Sequence, residues 1–225
     1  MKEKLTLNII PHHILNWFIT SRQHFLKDLR EGKPIKYLSS HLPVMATWYK
    51  DYPFPVNMTV KGIGLLPQDE YLQHYIDIFE STLAETRTMP WNESLPKRID
   101  AVTILYNCPD DFNQTILGGL EIFEGKAFQN LKDNPYASLL YVGMSHTPSG
   151  VQYISFQING EVEILEKDSI YYQFLLSSRK LFEFESFHLF QFDYPFGYLI
   201  KVHEVRDKSP FTRKKNGETQ GERKK

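Results

Sequence analysis

The chain has 225 residues, of which 41% are hydrophobic and 24% charged, with a formal net charge of −1. This is ordinary for a soluble globular domain with one sizeable core. It excludes a strong whole-molecule field toward nucleic acid or membrane. Cys108 is the single cysteine, which excludes an intrachain disulfide and fits a reducing compartment.

Aromatic residues reach 14%, with 16 Phe and 13 Tyr. Bulky rings suit half-buried sheet surfaces and favour a sheet-containing fold. Charge is unevenly spread. The last twenty residues, 206–225, hold eight Lys/Arg and three Asp/Glu, leaving 18 basic and 24 acidic residues in the body. The end of the chain, with one aromatic and no periodicity, reads as a disordered basic tail. Any nucleic-acid contact is expected only through it. The N-terminus lacks a continuous apolar run and a small-residue cleavage site, and no stretch reaches membrane-spanning length, so a cytoplasmic location is expected. The sequons at Asn57, Asn92 and Asn113 read as chance matches in that setting.

In chain order, Leu5 to Ile10 reads as a short strand or an extended arm, ended by Pro11. His12 to Leu29 carries Ile14, Leu15, Phe18, Phe25, Leu26 and Leu29 near helical spacing. Tyr37 to Tyr52 is mixed. Tyr52-Pro53-Phe54-Pro55 is held extended by its prolines. Val56 to Leu66 reads as one strand, in which Gly62 and Gly64 mark a bulge or a close backbone contact. Pro67 to Glu70 opens a helix running to about Thr86. Met89 to Pro96, with two prolines, reads as a loop, and Ile99 to Tyr106 as a strand. The run Thr115 to Leu165 changes period twice, giving a strand, one short helix and two further strands. A helix over Asp168 to Phe182 follows, then strands over Phe187 to Phe192 and Gly197 to Val205.

Chemistry-bearing residues are sparse. Gly125-Lys126 stands where a strand hands over to a helix. Unsatisfied N–H groups at a helix start favour an anion, and the lysine adds charge. The eight histidines are scattered, with no H-x-x-x-H, H-E-x-x-H or C-x-x-C, so a metal site has no local signature. Pro109, Asp110 and Asp111 follow Cys108, and local negative charge opposes a reactive thiolate. Glu161 and Glu163 alternate on one strand face, which is expected to be solvated. Gly62-Ile63-Gly64 lacks the third glycine of a dinucleotide fingerprint.

The run G-K-A-F-Q-N-L-K-D-N-P-Y-A-S-L-L-Y, followed after a turn by Y-I-S-F-Q-I-N-G-E-V-E-I-L, resembles the second half of the pyridoxamine-phosphate-oxidase-like, FMN-binding split β-barrel family. Phe196 to Val202 is similar to the closing strand of that family. The resemblance covers roughly Gly118 to Pro210. It implies an α+β fold: a six-stranded, mostly antiparallel split β-barrel with flanking helices and an N-terminal helical extension. It divides the chain into that extension (1–52), a split-barrel domain (53–210) with a helical insertion near 68–96, and the tail (211–225). It further implies FMN as cofactor, a homodimer with the flavin at the subunit interface, and a flavin-dependent oxidoreductase acting on a small-molecule substrate. Carried over by position, Gly125 and Lys126 would meet the FMN phosphate, with Asn130 and Ser138 as further cofactor-binding candidates. Gly125 and Ala127 stand where the family commonly has hydroxyl or other polar residues. Lys61 and Arg98 are the nearest counterparts of a basic pair in the family's first half. Two alternatives stand beside this reading. One is a non-enzymatic structural or partner-binding protein on a degenerate barrel. The other is haem binding or degradation, for which His188, in an aromatic-rich strand, is the candidate ligand.

Overall fold

The computed structural model describes residues 6–34, 38–49, 53–147, 150–183 and 191–210. Seven strands are formed: β1 (Val44–Trp48), β2 (Val56–Val60), β3 (Gly64–Pro67), β4 (Phe112–Glu121), β5 (Tyr136–Thr147), β6 (Gly150–Leu165) and β7 (Phe196–Asp207). Five α-helices accompany them: α1 (His12–Arg30), α2 (Asp69–Thr86), α3 (Trp91–Tyr106), α4 (Lys126–Asp133) and α5 (Ile170–Lys180). Every strand pairing is antiparallel, and the sheet order is β2-β1-β5-β6-β7-β4-β3. This is the expected α+β split barrel, with seven strands among the described residues rather than six. The additional strand, β1, comes from before residue 53.

Strict alternation sets the two faces of the central strands. Met45, Thr47, Ala137, Leu139, Tyr141, Phe156 and Ile158 are buried on the inner face. Ser138, Leu140 and Val142 alternate with them and point outward. α1 lays its apolar stripe of Ile14, Leu15, Phe18, Ile19 and Leu26 on the core. Phe18 meets the Tyr141 ring edge-on at 4.9 Å between centroids. Each such side chain contributes about 1.5–3 kcal/mol when fully buried, which fixes which way α1 faces. The segment before α1 is the extended arm: Asn8 N donates to Val202 O and Ile10 N to Gln114 O, each at 2.8 Å.

The segment between β3 and β4 corrects the sequence reading. Met89 to Pro96 is not a loop throughout, and Ile99 to Tyr106 is not a strand. Trp91–Tyr106 is one helix with Pro96 inside it. The β-branched Ile99, Val102 and Thr103 suggest a strand locally. Yet Arg98, Ile99, Ala101, Val102 and Leu105 are buried at helical spacing, and packing on α1 and α2 overrides propensity. The helical insertion therefore consists of two helices and extends to Tyr106.

Val56 to Leu66 is likewise two strands, and they lie at opposite edges of the sheet. Only Lys61, Gly62 and Ile63 join them. From Val60 to Gly64 the chain spans at most about 14 Å, so the sheet must curl until its two edges nearly meet. It does not close, because β2 and β3 do not pair with each other. The glycines expected to mark close backbone contact do so. A Cβ at Gly119 would lie 2.1 Å from Gly62 O, and one at Gly64 would lie 3.0 Å from His41 Nδ1. The seam is also tied by side chains. Lys61 Nζ pairs with Glu121, which is fully buried and also accepts from the Tyr198 hydroxyl. Phe123 N donates to the same carboxylate at 3.0 Å. Burial and its bond to Glu121 hold the Tyr198 phenol well above its ordinary range.

Of the strand expected at Phe187 to Phe192, residues 187–190 lie outside the described residues, and Gln191 and Phe192 are not in a strand. His188 and the tail at 211–225 also lie outside them.

Candidate functional site

The strand-to-helix corner read from the sequence exists. β4 ends at Glu121, Gly125 N bonds back to Phe123 O at 2.6 Å, and α4 begins at Lys126. Gly125 is extended at the N-cap, with φ −81° and ψ −167°, and no side chain caps the helix. The first N–H groups of a helix have no partner within it. No acidic residue lies in the first turn to neutralise them. α4 nonetheless docks firmly, through buried Ala127, Phe128 and Leu131, with the Phe128 and Phe196 rings stacked at 4.9 Å.

Lys126 is exposed, and its Nζ lies 5.2 Å from the centroid of the Tyr49 ring. Tyr49 directly follows β1. A cation over an aromatic face is favourable and holds the ammonium at the corner. One turn on, Asn130 is buried, and its Nδ2 donates to Thr47 Oγ1 at 3.1 Å. Its Oδ1 is buried without a hydrogen-bond partner among the described residues. An unmade buried hydrogen bond costs about 1–3 kcal/mol, so this acceptor marks a place where polar bonding is incomplete.

Ser138 is elsewhere. It sits on the outer face of β5, paired in register with Ala46 on one side and Asn159 on the other. Its hydroxyl donates to Asn159 Oδ1 at 2.7 Å, and Asn159 Nδ2 donates to Glu204 Oε2 at 2.5 Å. The structure thus brings Gly125, Lys126 and Asn130 onto one short helix and places Ser138 across the sheet from Asn130's partner Thr47.

The other candidates have structural partners. Arg98 Nη1 donates to Lys180 O and Leu181 O at 3.2 and 3.3 Å, closing the C-terminal end of α5. Lys61 belongs to the seam. Glu163 pairs with Lys201 at 2.8 Å, and Glu161 lies 3.5 Å from His203 Nε2, so these carboxylates brace β6 against β7. Among the described residues, no group of three or more metal-ligating side chains is present. No helix among them is long and apolar enough to cross a membrane.

Two features were missed in the sequence. One is Tyr49 beneath Lys126, whose place depends on β1. The other is the outer face of β2, β1, β5 and β6. Met58, Val60, Leu140, Val142, Met144 and Tyr153 are 70, 50, 40, 53, 62 and 62% exposed there. The available signal was in S-L-L-Y-V-G-M, where apolar residues occupy both phases of the alternation; in V-N-M-T-V only one phase is apolar.

No protein-family model and no curated protein matches the sequence. Solved structures do. An FMN-binding protein from Syntrophomonas wolfei is 11% identical, with a TM-score of 0.43, and the match covers 86% of this chain and 92% of that one. HupZ from Group A Streptococcus is 11% identical, with a TM-score of 0.40 and coverage of 84% and 94%. HutZ, a haem storage protein from Vibrio cholerae, is 10% identical, with a TM-score of 0.37 and coverage of 84% and 92%. The split-barrel assignment for this chain rests on its own strand order and on the three-residue seam between β2 and β3.

Proposed function

We propose that the protein binds FMN, with the phosphate at the start of α4, and that it works as a homodimer. The observation that carries the reading is the uncapped α4 N-terminus with Lys126 beside it, free of acidic residues in its first turn. Those groups fit a phosphate monoester: backbone N–H donors, one cation, and a glycine that lets a ligand approach the backbone. Tyr49 and the half-buried Trp48 at the end of β1 offer aromatic surface for a flat ring. Asn130 supports the corner from the buried side of α4 through Thr47. Ser138, on the outer face, would act where a second copy covers the sheet.

When bound, the flavin supplies electron or hydride chemistry, and the reaction proposed is a flavin-dependent oxidation or reduction of a small molecule. The chain's own part is to neutralise the phosphate through Lys126, to hold α4 by its apolar face, and to keep water from the ring. The exposed apolar outer face supports the dimer, since a contiguous patch of this kind marks an interaction surface.

The test is the absorption spectrum of purified protein supplied in turn with FMN and with haem. Uptake of FMN, giving bands near about 370 and 450 nm that belong to the cofactor, supports the proposal. A Soret band without flavin uptake replaces it with haem binding. Uptake of neither rejects both and leaves the outer face as the site of a non-enzymatic, partner-binding role.

A further inference from the structure

The seam encloses a second polar site, away from α4. A cavity of about 10 Å³ lies between α1 and the start of β3. Phe18, Leu65 and Leu117 form its apolar wall, and Arg22, Ser40, His41 and Tyr106 supply polar groups. Arg22 is the unusual member. Its guanidinium lies 5.2 Å from the centroids of both Phe25 and Phe182. Its Nε is buried with no hydrogen-bond partner. Among the described residues, no carboxylate pairs with it.

The surroundings sharpen the imbalance. Glu183, the buried carboxylate at the end of α5, is taken up by Arg179, Lys180 and the Tyr194 hydroxyl. His41, wedged on Gly62 and Gly64, is held neutral: burial, then the charges of Arg22 and Arg179, push its pKa down to about 3. Burial also pulls Arg22 below its ordinary value, yet a guanidinium does not deprotonate in a protein. Arg22 is half-buried, with its Nε wholly so, and a cation drawn partly out of water without a counter-charge or a full set of acceptors is costly. Rings on two sides offset part of that cost, but no ring accepts the in-plane N–H bonds.

We propose that this cavity holds one small monovalent anion, of the size of chloride, against the Arg22 guanidinium. The space is that of about one small guest, far less than gluconate needs. A halide supplies the missing charge and accepts from the guanidinium and from the hydroxyls on the wall. It would lock α1 to the seam, because Arg22 belongs to the first and His41 and Gly64 to the second.

The experiment compares thermal unfolding of the whole protein in sodium chloride, bromide, gluconate and sulfate at matched ionic strength. It is paired with R22Q and with anomalous diffraction from bromide-grown crystals. The expected result is a saturable rise of roughly 2–4 °C in chloride and bromide over gluconate, absent in R22Q, with a bromide peak beside Arg22. Equal melting in halide and gluconate overturns the proposal. So does a water in place of bromide, or a halide effect that survives in R22Q. The bromide map uses the natural protein, so it decides the matter even where R22Q fails to fold.

Discussion

Lys126 and His41 illustrate two ways in which one side chain acquires a role from its neighbours. Lys126 is held over Tyr49 at a helix start with no acidic residue in its first turn. A charge-assisted hydrogen bond to phosphate contributes about 1.5–3 kcal/mol. Lys126→Ala is therefore expected to weaken FMN binding roughly 10- to 100-fold, read by fluorescence titration. An unchanged dissociation constant would remove the phosphate from this corner. His41 works through stability. Its folded pKa is depressed to about 3, below the ordinary 6.5, so at intermediate pH the unfolded chain binds the extra proton. Stability then rises with pH across that interval: it is fully present above about pH 6.5 and declines progressively as pH falls toward 3. Urea melts at pH 7, 5.5 and 4.5 are expected to show that slope in the natural protein and a shallower one in His41→Gln. Parallel slopes would mean that His41 is not the titrating group.

At the scale of elements, the seam decides whether the barrel forms. Gly119 packs its Cα against the Gly62 carbonyl, and a methyl there would lie 2.1 Å from that oxygen and 2.7 Å from Ile63 Cδ1. Backbone cannot yield as a flexible side chain can, so Gly119→Ala is expected to destabilise by about 1–3 kcal/mol through overpacking. At Gly125 the nearest atom to a new Cβ would be 3.8 Å away, and Gly125→Ala is expected to be close to neutral. Chemical denaturation of the two variants side by side checks the contrast, and equal effects would discount the seam. The same seam shows what was legible in sequence. α1, α2 and the elements from β4 to β6 carry clean periods and were readable. The split of Val56 to Leu66 into two edge strands was not: its local trace is a shift of the apolar phase between Val60 and Ile63, which reads equally as a bulge within one strand. α3 was hidden by its β-branched residues and by Pro96, and its helical state is set by partners in α1 and α2. The site divides in the same manner. Gly125-Lys126 is a local signal, whereas Asn130 finds Thr47 and Lys126 finds Tyr49 only because β1, some eighty residues earlier, joins the sheet beside β5.

For the whole molecule, the unusual surface is the outer face of β2, β1, β5 and β6. In register, Val44 lies between Val60 and Leu140, and Ala46 lies between Met58 and Ser138, so the apolar side chains run as rows across three strands. Val142 and Met144 extend the patch along the β5–β6 hairpin to Tyr153. The polar row Ser138–Asn159–Glu204 lies beside it and is internally bonded, so it needs no outside partner to be satisfied. An exposed apolar face of this kind suits an isologous contact between two copies. Met58→Glu with Val142→Glu is expected to convert a dimer into a monomer by placing unpaired charge in the buried patch. Because both positions are exposed within one chain, its own unfolding midpoint should change little. Size-exclusion chromatography with light scattering reads the mass. A natural protein that is monomeric at tens of micromolar, or a double variant that remains dimeric, would sink the assignment of this face. The rows end at Trp48, one residue from Tyr49, so the proposed flavin corner adjoins the proposed interface. The monomeric variant is therefore expected to bind FMN more weakly with Lys126 untouched, and full affinity in the monomer would show that one chain completes the site alone.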